Sequence, residues 1–163
     1  MQQFKGLNSE IDGYDRKILE VLSRDGRISI TDLSDKIGLS KTPCQIRLKR
    51  LLSEGFIEGF RAILNPVKLN IDHVAFAEVK LSDTREKALR EFNRAVKEIP
   101  EIEACHMIAG RFDYLLKVRT RDIKRYRHVL GEKISSLPHV SSTSTNVVMQ
   151  TIMEDSMGIS DAD

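Results

Sequence analysis

Up to about residue 53 the apolar residues of this chain recur at three- and four-residue spacing; from residue 73 they begin to alternate. The first spacing puts apolar side chains on one face of a helix, and the second puts them on one face of a strand. A chain of 163 residues that changes period in this way is predicted to hold two small domains, helical first and mixed α/β second. The expected boundaries are 1–64 for the helical domain, 65–72 for a linker opened by Asn65-Pro66, 73–153 for the second domain, and 154–163 for an acidic, aperiodic tail.

In the helical part, Tyr14, Ile18 and Leu22, flanked by Leu19 and Val21, make one apolar face. Asp12 suits the N-cap, Asp15 the first turn and Gly26 the stop. A short second helix is expected over 31–37, capped by Thr31, with Leu33 and Ile37 inward and Gly38 supplying the positive φ of a tight turn. A third helix starts between Ser40 and Pro43, where Thr42 and Gln45 have capping-box spacing, and ends at Gly55. Cys44, Leu48, Leu51 and Leu52 form its apolar stripe. Thr42, Ile46, Lys49 and Arg50 lie opposite, with Gln45 and Arg47 on the flanks. Residues 56–64 alternate like a short strand.

The formal net charge is only +2, so total charge does not announce a nucleic-acid partner, but residues 41–50 carry four bases and no acid. A solvated helix face has the same charges, and on charge alone both readings stand. The order decides in favour of a helix-turn-helix followed by a wing: helix, short helix, glycine turn, then a helix with a polar and basic outer face. In that reading the third helix enters the major groove of double-stranded DNA. Thr42, Gln45 and Ile46 are placed to reach base edges or a thymine methyl, Lys41, Arg47, Lys49 and Arg50 mainly neutralise phosphates, and Ser40 at the helix start is also expected to contact DNA.

The second part reads strand 73–81, helix 84–99, strand 102–109, a Gly110-Arg111-Phe112 turn, strand 113–120, a helix capped by Asp122, and strand 139–152. The last helix has Ile123, Tyr126, Leu130, Ile134 and Leu137 as its apolar face. The order βαββαβ predicts a ferredoxin-like antiparallel sheet with two helices on one face, so the whole chain is of the α+β class. The other face of the sheet needs a cover, which a second copy of the domain provides by symmetry.

Several function classes are excluded. No apolar run approaches the roughly 18 residues that span a bilayer, and the first residues lack a signal-peptide core, so a cytoplasmic location with no membrane partner is expected. Cys44 and Cys105 are too few for a disulfide framework or a zinc knuckle, and both read as small buried hydrophobes. His73, His106, His128 and His139 are scattered with no paired acid, so no catalytic residue, metal or cofactor is expected. A protein that organises DNA through phosphate contacts and uses its second domain only for assembly remains the competing reading.

Asp25-Gly26-Arg27-Ile28, Gly38-Leu39-Ser40-Lys41-Thr42-Pro43-Cys44, Arg47-Leu48-Lys49-Arg50-Leu51 and the run from Gly59 to Pro66 are distinctive. So are Cys105-His106, Gly110-Arg111-Phe112-Asp113-Tyr114-Leu115-Leu116 and the run from Thr143 to Val148. In this order, over residues 8–153, the chain resembles the leucine-responsive regulatory protein/AsnC family of prokaryotic transcription regulators, also called feast/famine proteins. The resemblance implies a sequence-specific regulator of amino-acid metabolism genes, an amino-acid effector, and homodimers paired through their sheets that often form octamers. It marks Gly110, Phe112, Asp113 and Tyr114 as the effector site, with Ser142, Thr143 and Ser144 from a neighbouring strand. Backbone amides beside Gly110 suit a carboxylate and Asp113 suits an ammonium; equally, the two residues shape a hairpin turn, and both readings stand. The chain departs from the family at Arg111, where Asp or Asn is common, which places Arg111 among the residues expected to set effector choice.

Overall fold

Asp12 starts the first helix because its carboxylate accepts the N–H groups of Tyr14 and Asp15 at 2.9 Å, while the Asp15 carboxylate accepts the N–H of Asp12 at 3.1 Å. This reciprocal capping box satisfies donors that the first helical turn leaves orphaned. In the computed structural model, which describes residues 11–154, it opens α1, Gly13–Arg24. Helix α2, Ile30–Ile37, is capped by Ser29, which accepts from the N–H of Asp32; Thr31, the expected cap, is the second residue of the helix. Gly38 closes α2 at φ 74°, the left-handed conformation expected of it. Helix α3 covers Lys41–Ser53 with Ser40 as N-cap. The Thr42–Gln45 capping box does not form, because Thr42 already lies within the helix.

These helices share a core of Ile18, Leu33, Ile37, Cys44 and Leu51. Tyr14 and Leu52, expected in the apolar stripes, lie outside it at 41% and 39% exposure. Three short helices converge on a narrow line, so only the centre of each stripe is covered. Gly26 does not stop α1, which ends two residues earlier; a Cβ there would stand 3.0 Å from the Phe60 ring, so glycine makes room for Phe60. The strand expected over 56–64 pairs with nothing among the described residues and is extended chain without a ladder.

One compact unit ends at Ile63, and the next runs from Leu64 to Ile152. The second opens with residues 65–72, expected to be a linker, folded as a turn: Asn65 Oδ1 accepts the N–H of Lys68 and the Pro66 carbonyl accepts that of Ile71. Strand β1 (His73–Leu81) is followed by α4 (Glu86–Val96), β2 (Ile102–Met107), β3 (Tyr114–Thr120), α5 (Ile123–Val129) and β4 (Val140–Val147). All pairings are antiparallel in the order β2-β3-β1-β4, the ferredoxin-like arrangement that the alternation predicts. Ala75, Ala77, Val79, Leu116 and Val118 face the helices and pack against Phe92, Val96, Tyr126 and Val129.

Strands β2 and β4 stop earlier than expected, at Met107 and Val147, and α5 runs into a π-helical turn over Leu130–Ile134. Within α5 the buried face is Tyr126 and Val129, and Ile123, in the first turn, is 46% exposed. Cys44 is buried as expected, but Cys105 is exposed because β2 is an edge strand. Of the expected acidic tail, all but Glu154 lies outside the described residues.

Opposed residues share a face, so the registers define the side of the sheet away from the helices. It carries Phe76, Glu78 and Lys80 of β1, Leu115 and Lys117 of β3, His106 of β2, and Ser142, Ser144 and Asn146 of β4. Nothing within the described residues of this unit covers it, and Phe76 and Leu115 remain half-buried.

Glu101, just before β2, accepts from Arg125 at 2.5 Å and from Lys133 at 2.8 and 2.9 Å, tying the strand to α5 and the π turn. Burial pushes its carboxyl up, but Lys133 and Arg125 outweigh this and hold it below its ordinary value of 4.5. A carboxyl depressed in the folded state adds stability above its unfolded value, and that stability is lost as pH falls through the folded value. Denaturant titrations between about pH 5 and pH 3 are therefore expected to show a shallower acid loss in Glu101→Gln than in the wild type. Equal slopes would show that these pairs contribute nothing in solution.

Candidate functional site

Along α3 the exposed positions are Lys41, Thr42, Gln45, Ile46, Lys49, Leu52 and Ser53, with Ser40 exposed just before the helix. At about 100° per residue, Thr42, Ile46, Lys49 and Ser53 fall within one narrow sector, with Gln45 at its edge. Ile46, an aliphatic side chain, is 64% exposed at the centre of this ridge. No acid interrupts it. An acid-free ridge of short polar side chains with one apolar contact and lysines at its flanks has the width and chemistry that a major groove admits.

Arg47 and Arg50, expected to neutralise phosphates from a flank and from the outer face of α3, are both paired with acids at the start of α1. Arg47 lies at the angle of the buried stripe, and its Nη1 donates to Asp12 Oδ2 at 2.6 Å and to Asp15 Oδ1 at 2.9 Å. Arg50 Nη2 donates to Asp15 Oδ2. The Arg47 guanidinium also lies 5.5 Å above the Tyr14 ring, within cation–π range. Asp15 is fully buried, so its charge is compensated entirely by these two arginines and the Asp12 N–H. Hydrogen bonding to Asp15, then to Asp12, raises the Arg47 pKa; the N–H of Asp15 and the Arg47 side chain draw the Asp12 carboxyl down. The clamp fixes α3 on α1 and leaves Lys41 and Lys49 as the exposed cations of this helix. Two acids three residues apart on one helix and two arginines three apart on another are the signal that sequence reading overlooked.

In the second unit the turn between β2 and β3 brings Gly110, Arg111 and Phe112 to one end of the sheet. Gly110 has no positive φ, and a Cβ there would meet only Ile108 Cγ2, at 3.8 Å. Among the described residues nothing would clash with a Cβ here, so glycine leaves open space beside the turn. Asp113 is already occupied: Oδ2 accepts the N–H of Leu81 at 2.7 Å, and its own N–H donates to the Val79 carbonyl. It staples the register shift at Lys80/Leu81, which favours the turn reading of this residue. Tyr114 is buried and packs on Phe92 with ring centroids 4.4 Å apart, so it belongs to the core and not to an open site.

Thr143 shares the helix-side face with Val79, whereas Ser142 and Ser144 lie on the uncovered face. Sequence reading missed Glu78, also on that face. Its Oε1 accepts from Arg111 Nη2 at 2.9 Å and from Asn146 Nδ2 at 3.3 Å. Arg111, Glu78, Asn146 and Ser144 thus form one polar cluster beside the Gly110 turn.

Two family models match the chain, a winged helix-turn-helix DNA-binding domain over residues 11–58 and an Lrp/AsnC ligand binding domain over 74–157. The chain belongs to the Lrp/AsnC family. It is 71% identical over 145 residues to a proline dehydrogenase transcriptional activator of Rhizobium radiobacter, covering 89% of this chain and 93% of that one. To the leucine-responsive regulatory protein of Escherichia coli it is 44% identical, covering 89% and 88%. Among solved structures it is similar to a transcriptional regulator of Neisseria meningitidis in complex with L-methionine, with a TM-score of 0.83 and 30% identity over 90% of this chain and 94% of that one. An AsnC family regulator of Agrobacterium tumefaciens gives 0.84 and 32%, over 90% and 95%.

This Lrp/AsnC protein is therefore a DNA-binding transcriptional regulator and not an enzyme, built from a helix-turn-helix unit and a ligand-binding α+β unit. Among the described residues no helix is long and apolar enough to cross a membrane, and no group of three His, Cys, Asp or Glu side chains is placed to hold a metal ion.

Proposed function

We propose that this regulator is an amino-acid-responsive activator of a proline-catabolic gene, acting on DNA in the cytoplasm. The α3 ridge is the observation that carries the DNA-binding part of this reading. In it Ser40, Thr42, Gln45 and Ile46 approach base edges, and Lys41 and Lys49 lie on phosphates. Arg47 and Arg50 hold the ridge in place through α1. Relatives named proline dehydrogenase transcriptional activators, 71% and 54% identical, support the target. Two solved relatives with L-methionine bound support an amino-acid effector. The uncovered sheet face supports pairing of two copies, with octamers of four dimers as the larger assembly. A symmetric dimer would read a pseudo-palindrome with half-sites about 34 to 36 Å apart, or a multiple of that.

Binding to DNA from upstream of a proline dehydrogenase gene, measured against scrambled DNA over a salt series, tests this reading. The specific site is expected to bind at least about a thousandfold more tightly, and Lys49→Ala to lower the salt slope by about one. Equal affinity for both DNAs, falling alike with salt and indifferent to all twenty amino acids, would instead describe an architectural protein.

A further inference from the structure

Strand β3 is about 20 Å long, so its far end lies well away from the Gly110 turn. There the ligand-binding unit holds a cavity of about 310 Å³, lined by Ile71, Glu101, Arg119, Thr120, Arg121 and Arg125. That volume is at the lower end of the range of small-molecule sites. Half of the lining residues are arginines, and the acid among them is already matched. Glu101 accepts from Arg125 and Lys133 through one oxygen and from Lys133 through the other. Arg125, half-buried on α5, spends Nη2 on Glu101, and its side chain has no other partner among the described residues. Arg121 is exposed and meets Asp122 Oδ2 through Nε at 3.4 Å, which leaves both of its Nη groups open among the described residues. Arg119 is committed to Glu103 and donates to the Ile71 carbonyl at 3.5 Å, so it forms a wall of the cavity.

We infer that this cavity is a second ligand site, whose ligand is a small molecule carrying a phosphate group held by Arg121 and Arg125. Each guanidinium is a planar fork of N–H donors that suits two oxygens of an oxyanion at once. The two forks reach the cavity from different places, one from α5 and one from the residue after β3. A tetrahedral phosphate has oxygens enough to meet both, whereas a carboxylate fills one. Glu101 prepares the site: by holding Arg125 it fixes one fork before a ligand arrives, which lowers the cost of ordering on binding. Lys133 balances the charge of Glu101, so that of Arg125 is left for the anion. The first turn of α5 takes no part, because Asp122 already accepts the Arg125 N–H. Thr120 is buried on the helix side of the sheet and Arg125 is on α5, so the cavity is set apart from the uncovered face. A recess of this kind suits a free metabolite. The phosphates of a duplex lie along its outside and are met by a ridge of exposed side chains such as that on α3. The site is independent of the amino-acid-responsive reading above.

Calorimetric titration of the full-length protein at constant ionic strength tests the site, with inorganic phosphate, pyrophosphate and succinate as probes. Both phosphates are expected to bind saturably, and succinate at least about tenfold more weakly. Arg121→Gln and Arg125→Gln are each expected to weaken the phosphates at least about tenfold, because each removes one charged fork. Arg127→Gln removes an exposed cation of the same helix that does not line the cavity, and is expected to change nothing. Because Arg121 is exposed, its variant keeps the test open should Arg125→Gln fail to fold. The inference is overturned if neither phosphate binds saturably, or if all three variants lose affinity alike. Succinate binding as tightly as phosphate would overturn the choice of ligand. Loss of duplex DNA affinity in Arg121→Gln and Arg125→Gln, with no phosphate binding by the wild type, would give these arginines to the DNA backbone instead.

Discussion

Asp15→Ala is expected to remove most of the stability of the helix-turn-helix unit, about 3–5 kcal/mol, and operator binding with it. The magnitude follows from burial. Arg24 and Glu20 also pair, at 3.1 Å, but their side chains are 66% and 38% exposed, and such pairs are worth only tenths of a kcal/mol. Asp15 has no exposure at all, and Arg47 and Arg50 are only 28% and 36% exposed. Removing the one acid they share leaves both guanidiniums short of a partner and opens half of the α1 capping box. Arg47→Ala is expected to be milder, because Asp15 then keeps Arg50. Denaturant unfolding with amide exchange over residues 13–53 reads the stability, and DNA titration reads the function. An Asp15→Ala protein that unfolds at the wild-type denaturant concentration would show that the clamp is dispensable. Unchanged stability in Arg47→Ala with a loss of DNA affinity would return Arg47 to the phosphates.

The architecture was legible because period is a local property. Ala75, Ala77, Val79 and Leu81 alternate in sequence, and all four are buried on the helix side. Gly38 announced its turn for the same local reason. The polar side chains of the candidate sites were harder to place, since their partners are remote. Arg47 finds Asp12 and Asp15 some 35 and 32 residues away, and Arg111 finds Glu78 33 residues away. A helical wheel shows that Arg47 leaves the outer face but cannot show what receives it. Asp113 looked like an open acid because its backbone partner, Leu81, becomes adjacent only when β1 and β3 pair. The strand expected over 56–64 was misread for another reason: alternation specifies a strand only where a second strand is available to pair with it.

Phe92→Ala is expected to destabilise the ligand-binding unit by about 3–5 kcal/mol while leaving the helix-turn-helix unit intact. Phe92 is fully buried on α4 and packs on the Tyr114 ring, so truncation removes both transferred apolar area and a tilted aromatic contact. The consequence reaches the turn at Gly110 by a short covalent route. Tyr114 follows Asp113, which holds the Leu81 N–H and fixes the turn that carries Arg111. Loosening Tyr114 therefore blurs the position of Arg111 relative to Glu78. Because the core around Phe92 shares no residue with the core around Ile18 and Leu51, the loss should stay within one unit. Calorimetry then shows one transition falling by more than about 10 °C, with amide exchange over residues 13–53 unchanged. If exchange there accelerates by the same factor, the two units unfold as one cooperative body, and the modular reading of this regulator fails.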